Sequence, residues 1–418
     1  MMQAPAPDFR LRCLFFPMSP SRIAHALLFV FAGLLGRALI DKLLAAQGGT
    51  VAVAGWAQLS SLAELVSGVS LTGVGIALTV LAAGSSGRER LAWLKPALLV
   101  CLALSLALLL LALPALLWLD LKLVPGDPSL PMLALLVGSL AIAPGLLVAW
   151  QLGSGHSGRA SLLVALQALL PLLFLRYPPT PTTLLNLLAA QATFSLTVSV
   201  ALFVYLRRQP AVSAAAVKTL LRFLPAGLAI GILSPAASAW SRLQIADGLS
   251  WHAAGQVQAI WRSSDWITAI MAGLLNAYFL PRLSAARSRA DFLAELRRAA
   301  ATTLLPGAAL LLALWLWLPQ ALALLYRADI AMTREDALFF LLGDWMRMLS
   351  WIGLFGLFAR RSAWAISLGE FFSLPLFALL LTLFAGQLDL RQVGLMWLLT
   401  YASYAACNAA LLWRALPR

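Results

Sequence analysis

Charge is scarce in this chain, and so are cysteine and histidine. Only 11% of its 418 residues are Asp, Glu, Lys or Arg, where a soluble domain carries about a quarter. The three cysteines, Cys13, Cys101 and Cys407, lie far apart in the sequence. They offer neither a metal-ligand spacing nor a disulfide framework. His25, His156 and His252 are isolated from one another and from any residue at catalytic spacing. There is no Ser-His-Asp set, no P-loop and no HExxH motif, so no cofactor is expected, and any work must draw on ion or ligand gradients rather than on bound ATP. No cleavable signal is expected either. The stretch before Pro20 has only Cys13-Leu14-Phe15-Phe16 as an apolar run, cut by Pro17, too short for a signal-peptide core. Met18 directly precedes the first apolar stretch, so residues 1–17 read as a dispensable tail or an upstream start.

Apolar sequence is abundant instead. The chain is 62% hydrophobic with a mean hydropathy of +0.89. A bilayer-spanning helix needs about 20 such residues. Twelve stretches qualify: 21–46, 51–83, 94–119, 130–153, 161–175, 184–206, 223–246, 252–280, 296–318, 336–359, 363–385 and 393–413. The expected fold is an all-α polytopic membrane protein, with twelve transmembrane helices in two six-helix lobes around a central cavity. Residues 1–20 form an N-terminal tail, 21–206 the first lobe, 207–222 a cytoplasmic linker and 223–414 the second lobe.

The formal charge of +14 would point to nucleic acid in a soluble chain. Here it is a topology signal, because Lys and Arg collect in cytoplasmic loops, and no nucleic-acid partner is expected. With the N-terminus inside, 20 of the 30 Lys/Arg fall in inner loops and tails, among them Arg88, Arg90, Lys95, Arg207, Arg208, Arg360 and Arg361. Six fall outside: Lys42, Lys122, Arg176, Arg327, Arg334 and Arg391. Both termini are therefore expected in the cytoplasm.

The other four Arg lie within the apolar stretches, with four acids: Arg37, Glu64, Arg242, Arg262, Asp265, Asp344, Arg347 and Glu370. A charge at membrane depth costs several kcal/mol unless it is paired or faces water. A formally neutral set of eight reads as the lining of a polar cavity, suited to a large polar ligand with an anionic group.

The halves also resemble each other at an offset of 200. Lys42-Leu43 matches Arg242-Leu243, Gly48 matches Gly248, Thr50 matches Ser250, Gly55 matches Gly255 and Gln58 matches Gln258. Glu64 and Asp265 fall within one position of equivalence. Six helices separate the copies, so the repeats run parallel about an axis along the membrane normal, the plan of an alternating-access transporter.

Within the cavity, Arg262 and Asp265 are three apart and share a helix face, as do Asp344 and Arg347; Arg37 and Asp41 are four apart. These pairs read either as staples or as ligand contacts, and Arg37 also reads as snorkelling on its long stem. Guanidinium is always charged, and its planar fork matches phosphate oxygens. Arg37, Arg242 and Arg262 are therefore expected to hold an anionic group, with Lys42 assisting at the outer mouth. Glu64, Asp265, Asp344, Arg347 and Glu370 are expected in charge pairing or ion coupling. Gln58, Gln258 and their serine neighbours suit sugar hydroxyls. Trp261 and Trp266 suit stacking on sugar rings, or else belong to core and interface belts. Two prolines and two glycines, Pro225, Gly227, Gly231 and Pro235, mark the seventh stretch as a hinge.

Several runs carry a family resemblance: Asp41-Lys42-Leu43-Leu44-Ala45-Ala46, Arg242 to Trp251, Tyr278-Phe279-Leu280-Pro281-Arg282-Leu283-Ser284, Leu342-Gly343-Asp344-Trp345-Met346-Arg347 and Gly369-Glu370-Phe371-Phe372. In these the chain resembles the Wzx flippases of the multidrug/oligosaccharidyl-lipid/polysaccharide exporter superfamily, nearest the lipid III type of enterobacterial common antigen. The resemblance implies a ligand class, undecaprenyl-pyrophosphate-linked oligosaccharides moved between leaflets. It also implies, as partners, membrane lipids and the polymerase and chain-length regulator of surface-polysaccharide assembly. The rival readings are a drug or cation antiporter of the same superfamily and a polysaccharide polymerase or ligase. The latter would need a larger extracytoplasmic loop than this chain has.

Overall fold

The computed structural model describes residues 20–85, 88–119, 123–125, 127–174, 183–209, 212–221, 224–286, 288–326, 330, 332–360 and 362–416. The expected tail, and with it the expectation for residues 1–17, lies outside them. So do Lys122, Arg176, Arg327 and Arg361.

A chain in hydrocarbon must satisfy its backbone internally, and the described residues form helix after helix. α1 (Pro20–Ser70) carries the first pass and most of the second. It reverses at Gly49, whose φ of 64° and ψ of −159° suit a residue without Cβ. A π-helical segment (Leu71–Gly75) and α2 (Ile76–Gly84) finish the second pass. α3 (Arg88–Ala92) with α4 (Leu94–Leu119) forms the third, α5 (Leu130–Leu140) with α6 (Ile142–Gly153) the fourth, α7 (Ser157–Leu169) with a 3-10 turn the fifth, and α8 (Thr183–Leu206) the sixth. α9 (Ala214–Leu221) lies within the stretch expected as a linker. The second half follows with α10 (Leu224–Gly248), then α11 (Trp251–Leu274), a π segment (Leu275–Phe279) and α12 (Leu280–Ala285), then α13 (Arg289–Leu316). α14 (Leu318–Leu325) is short; α15 (Arg334–Ala359), α16 (Ala363–Glu370) with α17 (Leu374–Leu383), and α18 (Leu390–Ala415) complete twelve passes.

Several helix starts are capped by a side chain, although Ser129, Ser362 and Ser373 stand at such positions without capping. Ser250 Oγ accepts from the Ala253 amide at 3.0 Å and Thr333 Oγ1 from Asp336 at 3.1 Å. Asp389 and Gln392 form a reciprocal capping box. Among the described residues, seven helices are individually long and apolar enough to span a bilayer, or eight counting a bent pair as one. The eighth pass falls short because α11 gives its apolar positions to Gln256, Gln258, Arg262 and Asp265. The π segments sit at matching places in the second and eighth passes. By contrast α10, the expected hinge, runs unbroken through Pro235.

Three apolar cores define the two lobes. One spans both halves, joining Leu44, Leu59 and Val66 to Ile260, Phe340 and Trp397. The second lies wholly in the first half, around Val74, Leu78, Ile142, Leu202 and Leu220. The third lies wholly in the second half, around Phe279, Phe292, Leu357 and Leu412. The shared core occupies the end of the bundle that holds the Gly49 turn. Toward the opposite end the halves keep a contact, with Leu224 of α10 packed against the first-half core and α10 against the π segment of the second pass. α1 meets α10 and α11 across the junction. Their backbones touch where a Cβ on Gly255 would strike the Thr50 carbonyl and a Cβ on Gly231 would strike Gly68.

Candidate functional site

The charges meet where α1, α10, α11 and α15 converge. Two adjoining cavities lie there. The first, about 280 Å³, is lined by Leu34, Arg37, Asp41, Arg262, Asp265, Trp266, Tyr326, Arg347 and Trp351. The second, about 160 Å³, is lined by Arg37, Ser61, Glu64, Arg242, Gln258, Arg262, Asp265, Arg347 and Tyr401. Arg37, Arg262, Asp265 and Arg347 line both.

The structure changes the expected pairings. Arg262 does not pair with Asp265 on its own helix. Its Nε lies 3.4 Å from Asp41 Oδ2 on the opposite lobe. The reason is burial: Asp41 is 2% exposed and an unpaired carboxylate there would be costly, while the long Arg stem can cross the junction. Asp265 is engaged by the tenth pass, at 2.9 Å from Arg347 Nη2. Arg347 also meets Asp344 of its own helix at 3.1 Å, as the spacing suggested. It lies over Trp351, 5.4 Å from the ring centroid. Arg37 does not pair with Asp41; it reaches Glu64 at 3.1 Å, with both side chains about half exposed.

Arg242 is different again. It is 3% exposed, and none of the described ion pairs includes it. Its guanidinium donates to Gln58 Oε1 at 2.7 Å, Gln258 Oε1 at 3.2 Å, Ser238 Oγ at 3.3 Å and Ser61 Oγ at 3.4 Å. The two glutamines expected to meet sugar therefore hold an arginine. Gln58 also donates to the Ala239 carbonyl at 3.1 Å. These two glutamines are the offset-200 pair, so the repeat brings equivalent residues from the two lobes onto one cation.

Three further expectations change. Lys42 lines neither cavity; its Nζ donates to the Leu324 carbonyl at 2.8 Å and ties α1 to the end of α14. Glu370 stands apart from the cluster, at the break between α16 and α17. It accepts from Tyr404 at 2.8 Å and from Ser373 at 3.3 Å, because the break turns it toward α18 instead of toward the arginines. Trp261 packs on Trp397 with ring centroids 4.7 Å apart and on Phe377 at 5.8 Å, so it is largely core; Trp266 lines the larger cavity.

Asp41 is the site residue that sequence reasoning undervalued. Its spacing from Arg37 was visible, but its true partner lies some 220 residues away in sequence. Tyr326 and Tyr401 are also cavity residues without a sequence signal.

The arrangement leaves donors in hand. Arg262 Nε and Arg347 Nε are buried without a hydrogen bond among the described residues. The described polar links between lobes, Lys42–Leu324, Thr50–His252 at 2.7 Å, Gln58–Ala239, Arg242–Gln58, Arg242–Ser61 and Arg262–Asp41, lie at or on the Gly49 side of this cluster. The site thus sits beneath a sealed end, and further from Gly49 the lobes stay in contact where α10 packs on the second pass at Gly231 and Gly68.

No protein-family model matches the chain, and no curated protein matches it. Solved structures do. The chain is similar to the inward-facing conformation of a multidrug resistance MATE family transporter of the MOP superfamily, with a TM-score of 0.74 at 12% identity over 93% of this chain and 97% of that one. An outward-facing conformation of such a transporter gives a TM-score of 0.66 at 13% identity, over 94% and 95%. A MOP superfamily transporter from Pyrococcus furiosus, whose reversed binding-pocket polarity is said to suggest a different function, gives 0.63 at 12% identity, over 94% of each chain. At these identities the likeness establishes the fold, twelve helices in two lobes as in the MATE structures.

Proposed function

We propose that this protein is a flippase that carries an undecaprenyl-pyrophosphate-linked oligosaccharide across the inner membrane by alternating access, for surface-polysaccharide assembly. The observation that carries this reading is Arg262. Its guanidinium lines both cavities, its Nε has no hydrogen bond, and its one carboxylate partner is a 3.4 Å contact from the other lobe. A pyrophosphate would supply the missing acceptors to Arg262 and Arg347, with Arg37 at the accessible edge, and charge-assisted bonds of this kind are roughly twice as strong as neutral ones. Arg242 acts one step back, fixing the junction with Gln58 and Gln258.

Position supports the alternating part. The larger cavity, about 280 Å³, lies between the lobes, so parting them would widen it for the saccharide. The polyprenyl chain would stay in lipid beside the junction of α1 and α11.

A drug or cation antiporter shares the fold, and one observation favours it: Glu64 and Asp265 are the most exposed acids of the cluster, with side chains 50% and 35% accessible. The four arginines around them argue for an anion instead, and reversed pocket polarity has precedent in the fold. Complementation of a flippase-null strain, alongside efflux of a cationic dye from the same cells, separates the two. Restored surface polysaccharide without dye efflux supports the flippase; dye efflux without polysaccharide overturns it.

A further inference from the structure

Away from the central site, each lobe carries an apolar groove at the end opposite Gly49. In the first half it measures about 370 Å³ and is lined by Leu91, Leu94, Leu147, Trp150, Leu202 and Tyr205. In the second half it measures about 520 Å³, with Leu293, Leu296, Ile352, Ala405, Ala409 and Trp413 among its walls. The grooves are formed by the third, fourth and sixth passes and by the ninth, tenth and twelfth, so they are counterparts under the same repeat that pairs Gln58 with Gln258.

Both grooves end at a basic rim. In the first half Arg207 and Arg208 are exposed just beyond Tyr205, and Lys95 Nζ is fixed on the Gln209 carbonyl at 3.1 Å. A mixed cavity of about 500 Å³ continues from Leu91, with Ser85, Glu89, Lys95, Gln209 and Thr219 among its polar walls and Trp93 and Pro96 among its apolar ones. Trp150 is anchored at this level by its Nε1 bond of 3.0 Å to the Arg90 carbonyl. In the second half Arg289 lies over the Trp413 ring, 4.7 Å from its centroid, Arg360 lies 5.7 Å from the Phe292 centroid, and Arg414 is exposed beside them. Aromatic side chains with guanidinium and ammonium groups mark the level of lipid headgroups. A basic pocket between helices at that level binds anionic heads.

We propose that each lobe holds one anionic phospholipid, with an acyl chain in the groove and its phosphate against the rim: Lys95, Arg207 and Arg208 in the first half, Arg289 and Arg414 in the second. Among the described residues, Glu89 and Lys95 are the one acid and the one cation lining the first-half head cavity, and the exposed Arg207 and Arg208 beyond it tip the local balance to positive. A second copy of this chain is the other occupant to weigh, since α18 presents Ala402, Ala405, Ala406 and Ala409 to its groove, and small residues let helices approach. The first-half groove lacks that small-residue face and yet also ends at exposed arginines. What the two grooves share is the combination that suits a lipid.

The test is native mass spectrometry of the full chain in neutral detergent, with equimolar phosphatidylglycerol and phosphatidylcholine of the same acyl chains. Up to two phosphatidylglycerols should be retained per chain, in preference to phosphatidylcholine. R207Q with R208Q should remove one, and R289Q with R414Q the other, at about fivefold weaker binding per charge removed. The side chains of Arg207, Arg208 and Arg414 make no described hydrogen bond or ion pair, and melting curves check that the variants stay folded. Inorganic phosphate should not compete, because it lacks the chain. Equal retention of the two lipids, retention unchanged by the charge variants, or a lipid-free dimer would overturn the proposal.

Discussion

Replacing Arg262 by Ala leaves Asp41, 2% exposed, facing no cation at contact distance. At the observed 3.4 Å and an effective dielectric near 20, the attraction is about 5 kcal/mol. Loss of one partner of a buried pair is measured at about 3–5 kcal/mol, so the two figures agree. At about 2 °C per kcal/mol for a chain of this size, the Arg262→Ala protein should melt about 6–10 °C lower in detergent. The double change Arg262→Ala with Asp41→Asn removes the stranded charge and should recover most of that loss. Arg262→Ala with Asp265→Ala should not. It leaves Asp41 stranded and also takes a carboxylate from Arg347. Transport then tells staple from ligand contact. The recovered Arg262→Ala/Asp41→Asn protein should remain inactive in a flippase-null strain, and Arg262→Lys, which keeps charge but loses the fork, should be partly active. Recovery of both stability and transport in Arg262→Ala/Asp41→Asn would refute the ligand role. Recovery with Asp265→Ala in place of Asp41→Asn would refute the pairing.

Arg242→Leu should destabilise the fold by about 1–3 kcal/mol for each buried amide acceptor left unpaired, read as a lower melting temperature, and adding Gln58→Leu should restore part of it. A cysteine pair replacing Thr50 and His252, whose side chains meet at 2.7 Å, should cross-link the sealed end and stop transport until reductant is added; full activity while cross-linked would mean that this end need not open. Reporter fusions after Arg208 should read cytoplasmic and fusions near Asp127 and Asp389 periplasmic, and a common side for 127 and 208 would contradict twelve passes.

The twelve passes were legible because each is a hydropathy block of bilayer length, and the loops between them carry the charge bias. The two-lobe plan was legible because Gln58 and Gln258 stand at one offset, and the fold brings both to Arg242. Ion-pair partners were much less so. Helix spacing reports which residues share a face, as for Asp344 and Arg347. It cannot report which face lies opposite, so Asp41 was assigned to Arg37 and Asp265 to Arg262. Lys42 and Glu370 show a second limit: a charge in an apolar run may be answered by a carbonyl or a tyrosine as well as by a counter-charge. The π segment at Leu275–Phe279 lies just before Pro281, but that at Leu71–Gly75 has no proline to announce it, and the proline-bearing seventh pass stayed helical.

The central claim, passage of a lipid-linked oligosaccharide through an arginine-lined cleft, is tested most directly with purified protein in liposomes. Undecaprenyl-pyrophosphate oligosaccharide is placed in one leaflet, and its access to a membrane-impermeant glycosidase or lectin is followed from the other. The account predicts that the wild-type chain exposes the saccharide across the bilayer and that the folded Arg262→Ala/Asp41→Asn protein does not. Equal exposure by both proteins, or none by the wild type while it exports a cationic dye, would contradict it.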